Sequence, residues 1–103
     1  MILIITDKSF DKTINKGITL VDFWATWCRP CLIQAPIIEQ IAVEMKDQIK
    51  VGKMDVDNNR ATPQRFNVMN IPTLILFKDG VVVERIVGLT DKNTLLDYIN
   101  KHI

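Results

Sequence analysis

Two cysteines, Cys28 and Cys31, stand three residues apart in the segment Trp27-Cys28-Arg29-Pro30-Cys31. On a helix, residues at i and i+3 face one another, so the two sulfurs come within disulfide range without moving the backbone. The run Ile18–Ala25 before them is nearly all apolar or β-branched, as in a strand covered on both faces. Behind them, Ile33, Ile37, Ile38, Ile41, Ala42 and Met45 recur at helical spacing from Cys31 to Met45. The pair therefore sits where a buried strand gives way to a helix, with Cys28 at the helix start. Unpaired N–H groups and the helix dipole stabilise an anion there. The thiolate is the reactive form of cysteine, so this position lowers the Cys28 pKa and favours attack.

Arithmetic shows what that effect can supply. A thiol pKa falling from about 8.5 to about 7, the value known for dithiols of this kind, raises the thiolate fraction at pH 7 roughly 16-fold. Nucleophilicity falls with pKa and takes back about fivefold, leaving a net gain of about threefold. Most of the advantage must come from elsewhere. Cys28 is also the better leaving group, and Cys31 attacks it within the same molecule at high effective concentration. Two other readings of the pair stay open on these residues, a redox-inert buried pair and half of a metal site. Against the second, two cysteines fall short of four structural zinc ligands, and the one histidine, His102, lies at the far terminus.

The rest of the chain narrows the class. At 103 residues it expects one domain, spanning 1–103. Thirteen Lys and Arg against 12 Asp and Glu leave a net charge of +1, which argues against a nucleic-acid binder and a polybasic membrane anchor. The start, Met1-Ile-Leu-Ile-Ile5, lacks a basic leader region, and no apolar run reaches the roughly 18 residues of a membrane span. The expected setting is the cytosol, where a cysteine pair is more often catalytic or metal-binding than structural.

The elements that must position the pair follow from local pattern. Met1–Thr6 reads as a strand. Asp7 or Ser9 is a candidate cap for a short helix carrying Phe10 and Ile14 and closed by Gly17. Pro36 should kink the long helix. Ile49–Val56 is a strand, and Asn59 can cap a short helix through Phe66. Asp79-Gly80 between Thr73–Lys78 and Val81–Val87 is a strong hairpin signal. Thr90 caps a last helix over Asp91–Lys101. The order βαβαβαββα implies an α/β fold with a mixed sheet and helices on both faces.

Asp22 interrupts the apolar strand. A buried, unpaired carboxylate is very costly, so a neutral form with a raised pKa is expected, unless the position lies at an edge in solvent.

Val21 to Cys31, Lys53-Met-Asp-Val-Asp57, Ile71-Pro72-Thr73-Leu74 and Phe77-Lys-Asp-Gly80 together resemble the thioredoxin family along the whole chain. The resemblance implies a central five-stranded mixed sheet flanked by four helices. It implies a general protein-disulfide reductase in which Cys28 attacks and Cys31 resolves. Asp22 lies beneath the site and exchanges a proton with Cys31, and Lys53 matches a lysine near that carboxylate. The resemblance also implies no cofactor beyond the Cys28–Cys31 disulfide, recycling by a thioredoxin reductase, disulfide-containing client proteins and a monomer. An X-Pro bond is cis only about 5% of the time, yet the resemblance makes Ile71–Pro72 cis and packs it against the disulfide. The Ile71 backbone then pairs with an extended client segment. Trp27, Ile71, Val87 and Gly88 form an apolar rim, although Trp27 read alone fits core packing as well. Pro30 stiffens the first helical turn. Arg29 departs from the usual glycine and sets a cation beside Cys28, which favours thiolate where solvent does not screen it. Leu32 departs from a common lysine.

Overall fold

The computed structural model describes residues 1–103. Its elements run β1 (Leu3–Ile4), α1 (Phe10–Ile14), β2 (Ile18–Trp24), α2 (Arg29–Glu44), β3 (Lys50–Asp55), α3 (Ala61–Arg65), β4 (Thr73–Lys78), β5 (Val81–Val87) and α4 (Lys92–Asn100). This is the expected order. The five strands form one sheet in the order β1-β3-β2-β4-β5. β3 runs parallel to β1 and β2, while β4 runs antiparallel to β2 and β5. The sheet is mixed because the chain returns from β3 through α3 to run β4 antiparallel beside β2, and a two-residue hairpin then adds β5.

β2 lies at the centre, and its alternation divides the core. Leu20 packs with Ile38 and Ile41 of α2 and Leu95 and Ile99 of α4. Val21 and Phe23 point the other way, toward Phe10 and Ile14 of α1 and toward Phe66. Both faces of β2 are therefore covered, which explains its unbroken apolar run. Asp22 and Trp24 share the face of Leu20 by the two-residue period of a strand.

The Asp79-Gly80 turn forms as its residue types require. Asp79 has φ +51° and Gly80 φ +84°, the left-handed pair that a two-residue hairpin needs. The Asp79 carboxylate also accepts the Gly17 N–H at 2.8 Å, pinning the start of β2 to this turn.

Several local expectations shift. β1 pairs only over Leu3–Ile4 rather than Met1–Thr6. Asp91 rather than Thr90, and Arg60 rather than Asn59, precede the first helical residues of α4 and α3. Asp7 does not cap α1. Its carboxylate accepts from the Thr62 N–H at 2.8 Å, the Thr62 hydroxyl at 2.7 Å and the Ala61 N–H at 3.2 Å, so it caps α3 from 54 residues away. Asn59 binds the connecting chain instead, accepting the Asp7 N–H at 2.9 Å. α2 begins at Arg29 with Cys28 as its cap, and it runs on through Pro36 to Glu44. Its buried face is Cys31, Gln34, Ile38, Ile41 and Ala42. Ile33, one of the apolar residues at helical spacing, is exposed.

Candidate active site

Cys28 leaves β2 in an extended conformation, with φ −87° and ψ 106°, and serves as the N-cap of α2. Its Sγ accepts the Cys31 N–H at 3.3 Å. The sulfur thus takes the place of the oxygen in an ordinary helix cap, and one free N–H of the first turn points at the atom that must carry negative charge. Pro30 sits in that first turn, where its missing N–H leaves nothing unsatisfied. The two cysteines are joined as a disulfide with Cα atoms 5.3 Å apart. Cys28 keeps 4% of its surface and Cys31 1%, so approach from solvent is to Cys28.

The opposite wall is the start of β4. The Ile71–Pro72 peptide is cis, against the general preference of such bonds and as the family resemblance implies. Ile71 O lies 3.7 Å from Cys28 Sγ. In the reduced protein a Cys28 thiol at this distance has an acceptor for its proton. Gly88, at φ +92°, donates its N–H to Pro72 O at 2.8 Å. That bond continues the β4–β5 ladder past Thr73–Val87 and brings Val87 and Gly88 beside the cis-proline.

Trp27 is 69% exposed, so it is not a core residue. Its indole N–H donates to Asp57 at 2.8 Å, which fixes the ring at the surface. Val87 is exposed, Ile71 is half-buried, and Arg29 and Pro30 lie in solvent at the first turn of α2. Of the expected rim residues, Ile71 packs against the cluster of Ala25, Cys28 and Cys31.

Asp22 is 3% exposed, which excludes the solvent-edge reading. In the sheet it lies between Lys53 of β3 and Leu74 of β4. Its Oδ1 has no hydrogen-bond partner. Burial pushes its pKa up to about 7, while the Lys53 charge pulls in the opposite direction. A carboxyl group with that pKa gives and takes protons at neutral pH. Lys53 is not an ordinary exposed strand lysine. It is half-buried, with its ammonium 4.6 Å from the centroid of the Trp24 ring.

Three residues at the site escaped the sequence reading. Asp57 holds Trp27. Trp24 carries Lys53. Gln34, wholly buried one turn beyond Cys31, bonds through its side-chain amide to the Thr90 backbone. A polar residue at i+3 from Cys31 on the apolar face of a helix is a usable signal for Gln34. Nothing local marks Asp57, which lies 30 residues from Trp27.

A Cys-x-x-Cys disulfide at a helix start, with the carbonyl of the cis Ile71–Pro72 dipeptide 3.7 Å from its first sulfur, is an arrangement for thiol–disulfide exchange. A family model described as Thioredoxin matches residues 1–101. A thioredoxin of Listeria monocytogenes is 48% identical over 103 residues, covering 100% of both chains. One from Staphylococcus saprophyticus is 48% identical over 99 residues, covering 96% of this chain and 95% of that one. A Staphylococcus aureus thioredoxin is 44% identical over the same coverage. The chain belongs to the thioredoxin family, and its role is that of a protein-disulfide reductase with a redox-active disulfide. No helix is long and apolar enough to cross a membrane.

Proposed function

We propose that this chain, acting as a single cytosolic domain and a monomer, reduces disulfides in client proteins by a two-step exchange. The Cys28 thiolate attacks one sulfur of the client disulfide, and the other client sulfur leaves and takes a proton. Cys31 then attacks Cys28 in the mixed disulfide. The client leaves with both sulfurs reduced, and the Cys28–Cys31 bond forms. Two electrons and two protons pass from the dithiol to the client.

Each step has a residue to support it. The Cys31 N–H, donated to Cys28 Sγ, stabilises the attacking thiolate and also the sulfur as a leaving group. Asp22, with its pKa near 7, accepts the Cys31 proton during resolution, and Lys53 keeps that pKa from rising further. Trp27, Ile71, Val87 and Gly88 form the client surface, with Pro30 and Arg29 at its border. The Ile71 backbone pairs with an extended client strand. A thioredoxin reductase restores the dithiol. The protein needs no cofactor beyond its own disulfide.

The observation that carries this reading is Cys28 Sγ placed as the cap of α2, 3.7 Å from the carbonyl of a cis-proline dipeptide. Reduction of insulin by dithiothreitol tests it. Wild-type protein should accelerate precipitation of the insulin B chain, and Cys28→Ser should abolish the acceleration. Activity retained in Cys28→Ser overturns the reading.

A further inference from the structure

The wholly buried side chain in the second turn of α2 is not apolar. Gln34 occupies the face shared by Cys31, Ile38 and Ile41, where packing alone calls for an aliphatic residue. Both ends of its amide are used. Nε2 donates to Thr90 O at 2.9 Å, and Oε1 accepts the Thr90 N–H at 2.9 Å. The side chain thus reads one residue's backbone as a neighbouring β-strand would. Thr90 lies between β5 and α4, in a segment that no strand or helix ladder holds.

The links continue from there. The Thr90 hydroxyl donates to Gly88 O at 3.0 Å. The Gly88 N–H donates to Pro72 O at 2.8 Å. Ile71 O faces Cys28 Sγ at 3.7 Å. Cys28 caps the helix that carries Gln34. These six residues close a ring around the disulfide, and Gln34 is its only side-chain tie between α2 and the loop. Without that tie, the loop between Gly88 and α4 keeps only its own Thr90–Gly88 bond and the anchors at its two ends, Gly88 to Pro72 and Lys92 to Glu44.

We propose that Gln34 is a positioning residue for client docking. It holds the Gly88–Thr90 segment against α2, so that the rim at Val87 and Gly88 keeps its height relative to Cys28. This inference rests on the client-binding reading of that rim. It concerns binding of extended protein segments, not chemistry at sulfur, because both hydrogen bonds of the Gln34 amide go to Thr90 and none to a sulfur. A loop tethered in the bound geometry needs no ordering when a client binds. A small disulfide reaches Cys28 without spanning the rim.

The test compares two substrates in Gln34→Leu, which keeps the volume and removes both bonds. Insulin KM should rise by between about fivefold and about thirtyfold, the changes equivalent to losing one or two hydrogen bonds of ordinary strength, with kcat nearly unchanged. The rate with hydroxyethyl disulfide and the Cys28–Cys31 potential should stay at wild-type values. Should Gln34→Leu fail to fold, Thr90→Ala reads the same ring. It removes only the hydroxyl link to Gly88 and should raise insulin KM alone, by a smaller factor. An unchanged insulin KM in the folded variant, or an equal slowing with both substrates, overturns the proposal. Failure of the wild-type protein to reduce insulin refutes the reductase reading itself, irrespective of Gln34.

Discussion

Two aspartates in this molecule show how hydrogen-bond supply decides what a carboxyl group does. Asp7 lies between β1 and α1 and receives three bonds from the first turn of α3, two from backbone N–H groups and one from the Thr62 hydroxyl. Burial pushes its pKa up, but the Thr62 side chain and the N–H groups of residues 60–62 more than reverse this, so its pKa lies below 3.8. Asp22 lies in the middle of β2. Every N–H around it is committed to the sheet, and its Oδ1 has no partner. There burial prevails, and the pKa stands at about 7. The two groups share one chemistry and differ in the donors the fold provides. Asp7 is fixed in its charged form and can only hold structure together. Asp22 is left able to change its charge at neutral pH.

The comparison predicts opposite pH signatures, and the larger belongs to Asp22. In the unfolded chain its carboxyl ionises near 3.8, while in the folded protein it stays protonated up to about 7. Between those values the folded state binds the extra proton, so raising pH favours unfolding. Stability should fall by about 3 kcal/mol from pH 4 to pH 7 and level off only above the folded pKa, the whole change being the free-energy equivalent of that pKa difference. Asp22→Asn removes the titration. Urea unfolding at steps across this range should show the variant gaining on the wild type as pH rises. The pH profile of insulin reduction should also lose its inflection near 7. Parallel stability curves for the two proteins mean that Asp22 is not a buried, neutral-range acid.

Asp7 should behave in the reverse sense and on a smaller scale. Its folded pKa is depressed, so its contribution is fully present above 3.8 and disappears as pH falls through the folded value. Asp7→Ala removes the cap of α3 and should cost about 1 kcal/mol at pH 7. The gap to wild type should close as pH falls through the depressed folded pKa. Insulin reduction should be unaffected, since no hydrogen bond joins Asp7 to Cys28, Cys31 or Asp22. A variant as stable as wild type at pH 7 means the three bonds contribute nothing net.

The same contrast explains which parts of the molecule were legible in the sequence. β2, the Asp79-Gly80 hairpin and the Cys28 helix start were readable because each is dictated by residues within a few positions. A helix start needs a cap nearby, and a two-residue turn needs left-handed φ values. Asp22 was readable as an exception, a charge in an apolar run. Asp7 was placed at the wrong helix because its true partners, Ala61 and Thr62, are set by the packing of α3 against the β1–α1 connection. Ile33 belongs to the apolar residues at helical spacing yet stays exposed, because Cys31, Ile38 and Ile41 set the buried face and Gln34 falls on it, where the Thr90 backbone satisfies its amide. The cis form of Ile71–Pro72 was not legible from residue statistics at all, and came only through the family resemblance.

Lys53 offers the finest test, because its charge acts on Asp22 and not on Asp7. It neighbours Asp22 across β2 and β3, and its positive charge opposes the rise in the Asp22 pKa. Lys53→Met keeps the aliphatic stem over Trp24 and removes the charge. The Asp22 pKa should then move further up, since burial acts without opposition. The declining limb of the stability curve should extend above pH 7, and the inflection in insulin reduction should move to higher pH with it. At pH 5, where Asp22 is neutral in both proteins, the only loss is the ammonium–indole contact, about 0.5–1 kcal/mol. The acid limb governed by Asp7 should stay where it was. A substitution that shifts both limbs together acts through general loosening of the fold. One that moves the neutral limb alone shows that Asp22 responds to a single charge across one strand pair.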